Sequence, residues 1–244
     1  MPNAFIRKLE GFAPLDAADR QFLAELTART VSFEADQAII NEGDHPRNVH
    51  LVLEGLAARA KTLRDGSRQI VAYLVPGDFC DFHVAILNEM DHDIVTLTPC
   101  SIVRIPKDVV KDIIDNRPRL AKSFWWCTLV DEATLREWVT NLGQRSAEQR
   151  IAHLFCELYT RLKAVGLVEN GSFTLPINQA ELGDTMGLSP VHVNRSLKGL
   201  RDSNLATFRG KTICIPNIER LKSFADFKSN YLHFQNDRVL ERQA

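Results

Sequence analysis

The 244-residue chain has no long apolar run: nothing in it approaches the roughly 20 consecutive apolar residues of a membrane-spanning helix. Its opening, "MPNAFIRKLEGF", also lacks the extended apolar segment of a secretion signal, so a cytoplasmic protein with no membrane partner is expected. Cysteine is sparse and unpatterned. Five stand at positions 80, 100, 127, 156 and 214, an odd number without CxxC or any short metal-ligand spacing. That speaks for reduced structural thiols and against an iron–sulfur or zinc site. The motifs that announce catalysis are missing too: there is no nucleophile elbow, P-loop, dinucleotide fingerprint or HExxH, and no catalytic residue is assigned. Nor is there an internal repeat or a low-complexity tract. Basic charge is not in excess, because the net charge is −1.

What is present is ordinary folded-protein composition, 45% hydrophobic and 25% charged, in a length that suits two modest domains. The charge is unevenly placed. Residues 1–143 hold 16 Lys+Arg against 21 Asp+Glu, net −5, and residues 144–244 hold 14 against 10, net +4. The C-terminal part is thus the side expected to meet a polyanion. The first residues read as one or two short helices, with Asp16 as an N-cap. From about 30 to 106, short runs such as "QAIINEG", "NVHLVLEG", "LAARAKTL", "RQIVAYLV" and "SIVRIP" alternate with the turn signals "EGD", "DG" and "PGD". Spacing of that kind marks an antiparallel sandwich or barrel.

A helical pattern without Pro or Gly then runs from Arg119 to Leu142, and Gly143 is expected to end it. Thr128, Glu132, Leu135, Val139 and Leu142 fall on a heptad-like seam, which suits either a two-helix coiled coil or packing on the chain's own β domain. Trp125, Trp126 and Trp138 read as packing residues. Ser146 and Gln149 form a capping box for the next helix, whose apolar face is Ile151, Leu154, Phe155, Leu158 and Leu162. A strand "TLPI" is expected after "ENGSF", and "LATFRGKTICIPN" reads as two strands joined by a tight turn. The tail "NYLHFQNDRVLERQA" reads as a helix or a frayed end.

Between those strands lie "NQAELGDTMG" and "LSPVHVNRSLKGL". Asn178 caps a short helix whose Ala180, Leu182 and Met186 point inward, Gly187 supplies the turn, and Ser189 with Pro190 starts a second helix. Val193, Leu197 and Leu200 share one face of it, while Val191, His192, Asn194, Arg195 and Lys198 take the other. This division suits a helix–turn–helix, in which one face locks onto the first helix and the other enters the major groove of DNA. Arg195 has the donors for guanine O6 and N7, and His192 and Asn194 for a base edge or a phosphate. Arg209 and Lys211 of "RGK" sit where a wing would meet the phosphate backbone.

These segments carry a resemblance. "NQAELGDTMGLSPVHVNRSLKGLRDSNLATFRGKTICI" resembles the winged helix–turn–helix of the Crp/Fnr transcription regulators, and "IINEGDHPRNVHLVLEGLAARAKTLRDGSRQIVAYLVPGDF" resembles their cyclic-nucleotide-binding-type β-roll. The likeness spans about residues 10–220. It implies an α+β fold: an N-terminal antiparallel β-roll with flanking helices over 1–118, a long dimerisation helix over 119–143, and a C-terminal winged helix–turn–helix over 144–244. It further implies a homodimer on a pseudo-palindromic promoter site whose half-sites lie about one helical turn, roughly 34 Å, apart. RNA polymerase would be a further partner. The family's groove-contacting positions fall on Pro190, Val191 and Arg195, with His192 where a small backbone-contacting residue often stands. Only Arg195 keeps the guanine-reading type.

The effector side departs from the family. Members that bind a cyclic nucleotide carry Gly-Glu and Arg-Ser pairs where this chain reads "PGDFCDFHVAILNEMDHDIVTL", without that glutamate or arginine and with Asp91 and Asp93 beside the expected phosphate position. Cyclic AMP is therefore not expected to bind in that mode, and the oxygen-sensing branch's N-terminal cysteine cluster has no counterpart. No cofactor is predicted. An unidentified small molecule would find its pocket near Gly77, Asp81, Phe82, Asp91 and His92. His83 and His92, with Asp81, Asp91 and Asp93, bring a divalent metal to mind, but ordinary pocket polarity is the simpler reading and no metal site is assigned. The alternative to a DNA-binding regulator is an effector-binding or interaction module that no longer reads DNA.

Overall fold

The computed structural model describes residues 2–234; the tail from residue 235 onward lies outside the described residues. Two short helices, α1 (Ala4–Glu10) and α2 (Ala17–Leu26), come first. Asn3 caps α1, and Asp16 caps α2 by accepting from the Asp19 N–H at 2.7 Å, as its position predicts. Then follow β1 (Val31–Phe33), β2 (Ala38–Ile40), β3 (Asn48–Glu54), β4 (Ala57–Thr62), β5 (Arg68–Leu74), α3 (Val84–Leu87), β6 (Asp93–Thr96) and β7 (Cys100–Pro106). They form one sheet in the order β1-β7-β3 and another in the order β2-β6-β4-β5, with antiparallel β1–β7, β3–β7, β2–β6 and β4–β6 pairs. The remaining elements are α4 (Lys107–Asn116), α5 (Pro118–Gln144), α6 (Ala147–Ala164), β8 (Ser172–Thr174), α7 (Gln179–Met186), α8 (Pro190–Asp202), β9 (Thr207–Arg209), β10 (Thr212–Cys214) and α9 (Ile218–Ala225). Of the tail, Ser229–Leu232 makes a single 3-10 turn.

The described residues divide into two compact units: the first takes in Pro2–Ala60, Tyr73–Ala133 and Leu232–Phe234, and the second Lys61–Ala72 with Thr134–Tyr231. In the first, the "PGD" turn shows why those residue types stand there. Gly77 adopts φ +96°, open to glycine, and Asp78 closes the turn by accepting from the Val75 N–H at 2.7 Å while its other oxygen takes Lys8 of α1 at 2.6 Å. The next residue, Phe79, is the hub of an aromatic cluster with Phe5 at 5.2 Å, Phe82 at 5.0 Å and Phe124 at 5.1 Å between ring centroids. Asp81 is fully buried and takes both the His50 N–H, at 2.6 Å, and His50 Nδ1, at 2.7 Å.

In the second unit α6 is the central element. Ser146 and Gln149 complete the expected capping box, and Ile151, Leu154, Phe155, Leu158 and Leu162 are all buried. The helix also buries an ionisable group. Glu157 accepts from Trp138 Nε1 at 2.9 Å, Tyr231 OH at 3.0 Å and Arg161 Nη1 at 3.0 Å.

Several expectations need correction. The strand expected as "TLPI" is Ser172–Thr174, two residues earlier and beginning inside "ENGSF", because it pairs with β10 in the register Phe173↔Ile213 and Pro176 has no N–H to extend the ladder. β1 and β6, of three and four residues, escaped the reading because such short strands are defined by their partners. Gly143 does not end α5, which continues to Gln144. Trp126 is buried, stacked on Phe12 at 4.8 Å, and Trp138 is buried against Glu157, but Trp125 is not a packing residue of its own chain: it is 71% exposed. All five cysteines are free thiols, four of them buried.

Candidate nucleic-acid interface

The candidate surface is built on α7, α8 and the β9–β10 hairpin, all within the second unit. Asn178 starts α7 with a reciprocal cap: its side chain accepts from the Glu181 N–H at 2.9 Å, and Glu181 accepts from the Asn178 N–H at 2.7 Å. Leu182 and Met186 are buried as expected; Ala180 is exposed, a correction to the inward face assigned to it, since Glu181 and Thr185 fill that side instead. Gly187 ends the helix at φ +62°, and Leu188 donates back to the Gly183 carbonyl at 3.1 Å. Arg150 of α6 covers the Met186 carbonyl at 3.2 Å. Ser189 then caps α8, accepting from the His192 N–H at 3.4 Å, with Pro190 in the first turn. Only Gly187, Leu188 and Ser189 separate the two helices, the short connection of a helix–turn–helix.

Gly183 is what lets the two helices approach this closely. A Cβ there would lie 2.6 Å from the backbone oxygen of Leu188, which cannot move without opening the turn. Gly183→Ala is expected to cost about 1–3 kcal/mol of stability through overpacking and to tilt α8. A thermal melt with a DNA titration checks this; unchanged values in both would remove the steric argument. The sequence carried this signal only as a glycine inside a helical run.

α8 sorts its residues by face. Val193, Ser196 and Leu200 are buried and Leu197 is half-buried, toward α6 and α7. Pro190, Val191, His192, Asn194, Arg195 and Lys198 are exposed, Val191 at 69% despite its apolar side chain. Asn178 and Ser189 are exposed too, though their side chains serve as helix caps. On the hairpin, Arg209 faces Thr212 across a turn made by Gly210, at φ +61°, and Lys211, which leaves both cations exposed. Among the described residues, none of Arg195, Lys198, Arg209 and Lys211 is held in an ion pair, so all four can meet an anion without losing a partner. Arg68 and Gln69, outside the sequence reading, bind α7 through Asp184 at 2.9 Å and the Thr185 carbonyl at 3.1 Å.

The residues expected around an effector separate. Gly77 packs its backbone on α1, Asp81 is committed to His50, and Phe82 belongs to the aromatic cluster. Asp91 and His92 instead join His83, where burial pushes both imidazoles below their ordinary value. Along α5, Trp125, Leu129, Leu135 and Val139 are exposed, while Thr128 and Leu142 of the expected seam are half-buried.

A cyclic nucleotide-binding domain model matches residues 30–117, and a Crp-like helix-turn-helix domain model matches residues 149–224. The transcriptional activator protein FnrL of Cereibacter sphaeroides is 28% identical over 194 residues, covering 78% of this chain and 77% of that protein. The nitrogen fixation regulation protein FixK of Bradyrhizobium diazoefficiens is 29% identical over 199 residues, covering 80% and 81%. The solved structure of FixK2 from Bradyrhizobium japonicum shares the fold with a TM-score of 0.72, at 24% identity over 80% of this chain and 96% of that one.

Proposed function

We propose that this chain, which belongs to the Crp/Fnr family of transcription regulators, reads a pseudo-palindromic promoter site as a homodimer, with an effector other than cyclic AMP or with none. It is a DNA-binding regulator and not an enzyme. The observation that carries the site assignment is the outer face of α8, where Arg195 and Lys198 stand exposed and, among the described residues, without ion-pair partners just after the helix–turn–helix connection. In this reading Arg195 donates to a guanine edge, Val191 meets a thymine methyl, and Lys198, Arg209 and Lys211 lie along phosphates.

The dimer rests on α5. Four large apolar side chains, Trp125, Leu129, Leu135 and Val139, are more than half exposed along it, and burial against a second copy would remove them from water. Cyclic AMP is set aside because residues 76–97 contain no lysine or arginine, and Arg59 is tied to the Phe79 and Cys80 carbonyls and to Asp131 at 2.7 Å. Action on promoters implies a cytoplasmic protein that meets RNA polymerase there. No helix among the described residues is long and apolar enough to cross a membrane.

The test is selection of bound sequences from a random duplex pool at near-physiological salt, with the protein alone and with cell extract added. A two-fold-symmetric motif with half-sites about one helical turn apart is expected; no enrichment in either arm would overturn the reading. On the selected site, Arg195→Ala should cost about 1–3 kcal/mol, roughly 5- to 150-fold, and relax the choice at one base pair. Equal losses on every sequence would show that Arg195 holds only phosphate.

A further inference from the structure

We infer that His83, Asp91 and His92 form a binding site for a divalent first-row transition metal ion, of the zinc or ferrous type. One ligand atom from each of the three lies within 4.8 Å of the others. His83 Nε2 is 3.9 Å from Asp91 Oδ1, that oxygen is 2.6 Å from His92 Nδ1, and the two rings stand 5.5 Å apart. Donors around a tetrahedral ion, each about 2.0–2.2 Å from it, are roughly 3.3 Å from one another, so the widest gap needs to close by about 1.5 Å. That gap is the one between the two half-buried rings and closes by turning the His83 ring, while Asp91, 84% exposed and ahead of β6, adjusts its own shorter distances.

The second observation is independent of the spacing. Nε2 of His83 is shut off from solvent and has no hydrogen-bond partner. Buried polar nitrogens are nearly always satisfied, and His83 Nε2 is directed at a carboxylate too far away for a hydrogen bond. A cation between them satisfies the imidazole lone pair and the carboxylate together. His92 would offer its Nδ1 lone pair to the ion in place of the present bond to Asp91, with the ring's single proton on Nε2.

The donor set selects the class of ion. Two imidazoles and one carboxylate suit zinc, iron, nickel or copper, whereas magnesium and calcium prefer all-oxygen shells. Three protein ligands with an exposed carboxylate leave a fourth position for water or a small anion. The site ties the 83–87 turn to the segment that enters β6, and it does not depend on the DNA-binding surface.

The experiment is calorimetric titration of the full chain with zinc chloride, repeated with cobalt(II) to read visible absorption from the coordinated ion. One equivalent per chain is expected, with affinity reduced at least tenfold in His83→Ala, His92→Ala and Asp91→Asn and unchanged in His45→Ala. Asp91→Asn changes an exposed residue and keeps the protein folded, so a weakened site cannot be confused with unfolding. Absence of saturable binding of either ion, or equal affinity in the three variants, overturns the assignment.

Discussion

DNA affinity should fall on the order of 10³-fold when salt is raised from about 50 to 200 mM. Among the described residues Lys198, Arg209 and Lys211 are exposed and outside any ion pair, and the proposed homodimer would present each of them twice. About six neutralised phosphates give a log–log slope near −5, and a fourfold change in salt then costs about three decades. Anisotropy titrations of one labelled duplex across a salt series measure the slope. Replacing Lys211 by alanine should make it shallower by about two, one contact per half-site. A slope no steeper than about −2 in the unmodified protein would mean that the hairpin does not reach the DNA backbone.

Glu157→Ala should destabilise the fold by about 3–5 kcal/mol. Glu157 is 0% exposed, and removing it leaves the Trp138 and Tyr231 donors and the Arg161 guanidinium without this shared acceptor. At about 2–4 °C per kcal/mol for a chain of this size, the melting temperature should drop by about 10 °C, against a smaller drop for Glu157→Gln, which keeps an acceptor oxygen. Burial raises the Glu157 carboxyl above its ordinary 4.5, ahead of the opposing pull of Arg161. The folded state therefore binds that proton more readily than the unfolded chain does. Its contribution is present in full below about pH 4.5 and is lost as pH rises through the raised folded value. Glu157→Gln should remove that limb of the stability–pH curve, and an unaltered curve would show that the carboxyl does not titrate differently on folding.

Much of the candidate DNA-reading surface was legible because it is made of local chemistry. Asn178, Ser189 and Pro190 cap or start their helices within four residues of themselves, as Asp16 and the Ser146–Gln149 pair do elsewhere, so a side chain's type and offset are enough to place a helix start. The sorting of α8 into a buried side at Val193 and Leu200 and an exposed side at Arg195 and Lys198 follows from helical period alone. Ala180 failed the same logic because it is small enough to sit in water at little cost, and an apolar letter was read as an inward position.

Other features depend on pairs that no local window contains. His50 and Asp81 are 31 residues apart, and Trp138, Glu157 and Tyr231 meet across up to 93 positions. The metal-type cluster shows both sides: Asp91 and His92 are adjacent in the chain, but only the fold brings His83 to them and strips its Nε2 of water. The exposed line on α5 shifted from Thr128 and Leu142 to Trp125 and Leu129 for a similar reason. A 27-residue helix is amphipathic by sequence, but which apolar stripe faces its own core is decided by what packs there.

By itself the sequence determined the class of this protein: a β-rich first part, a long helix, a helix–turn–helix with a basic outer face, and no catalytic motif. Those are properties of periodicity, capping and charge placement, which act over one or two turns of chain. The tertiary structure alone decided which polar groups lost water and which partners they met there: Asp81 to His50, Glu157 to three donors, His83 Nε2 to none. Desolvation is set by every element around a side chain, and no stretch of sequence contains that enclosure.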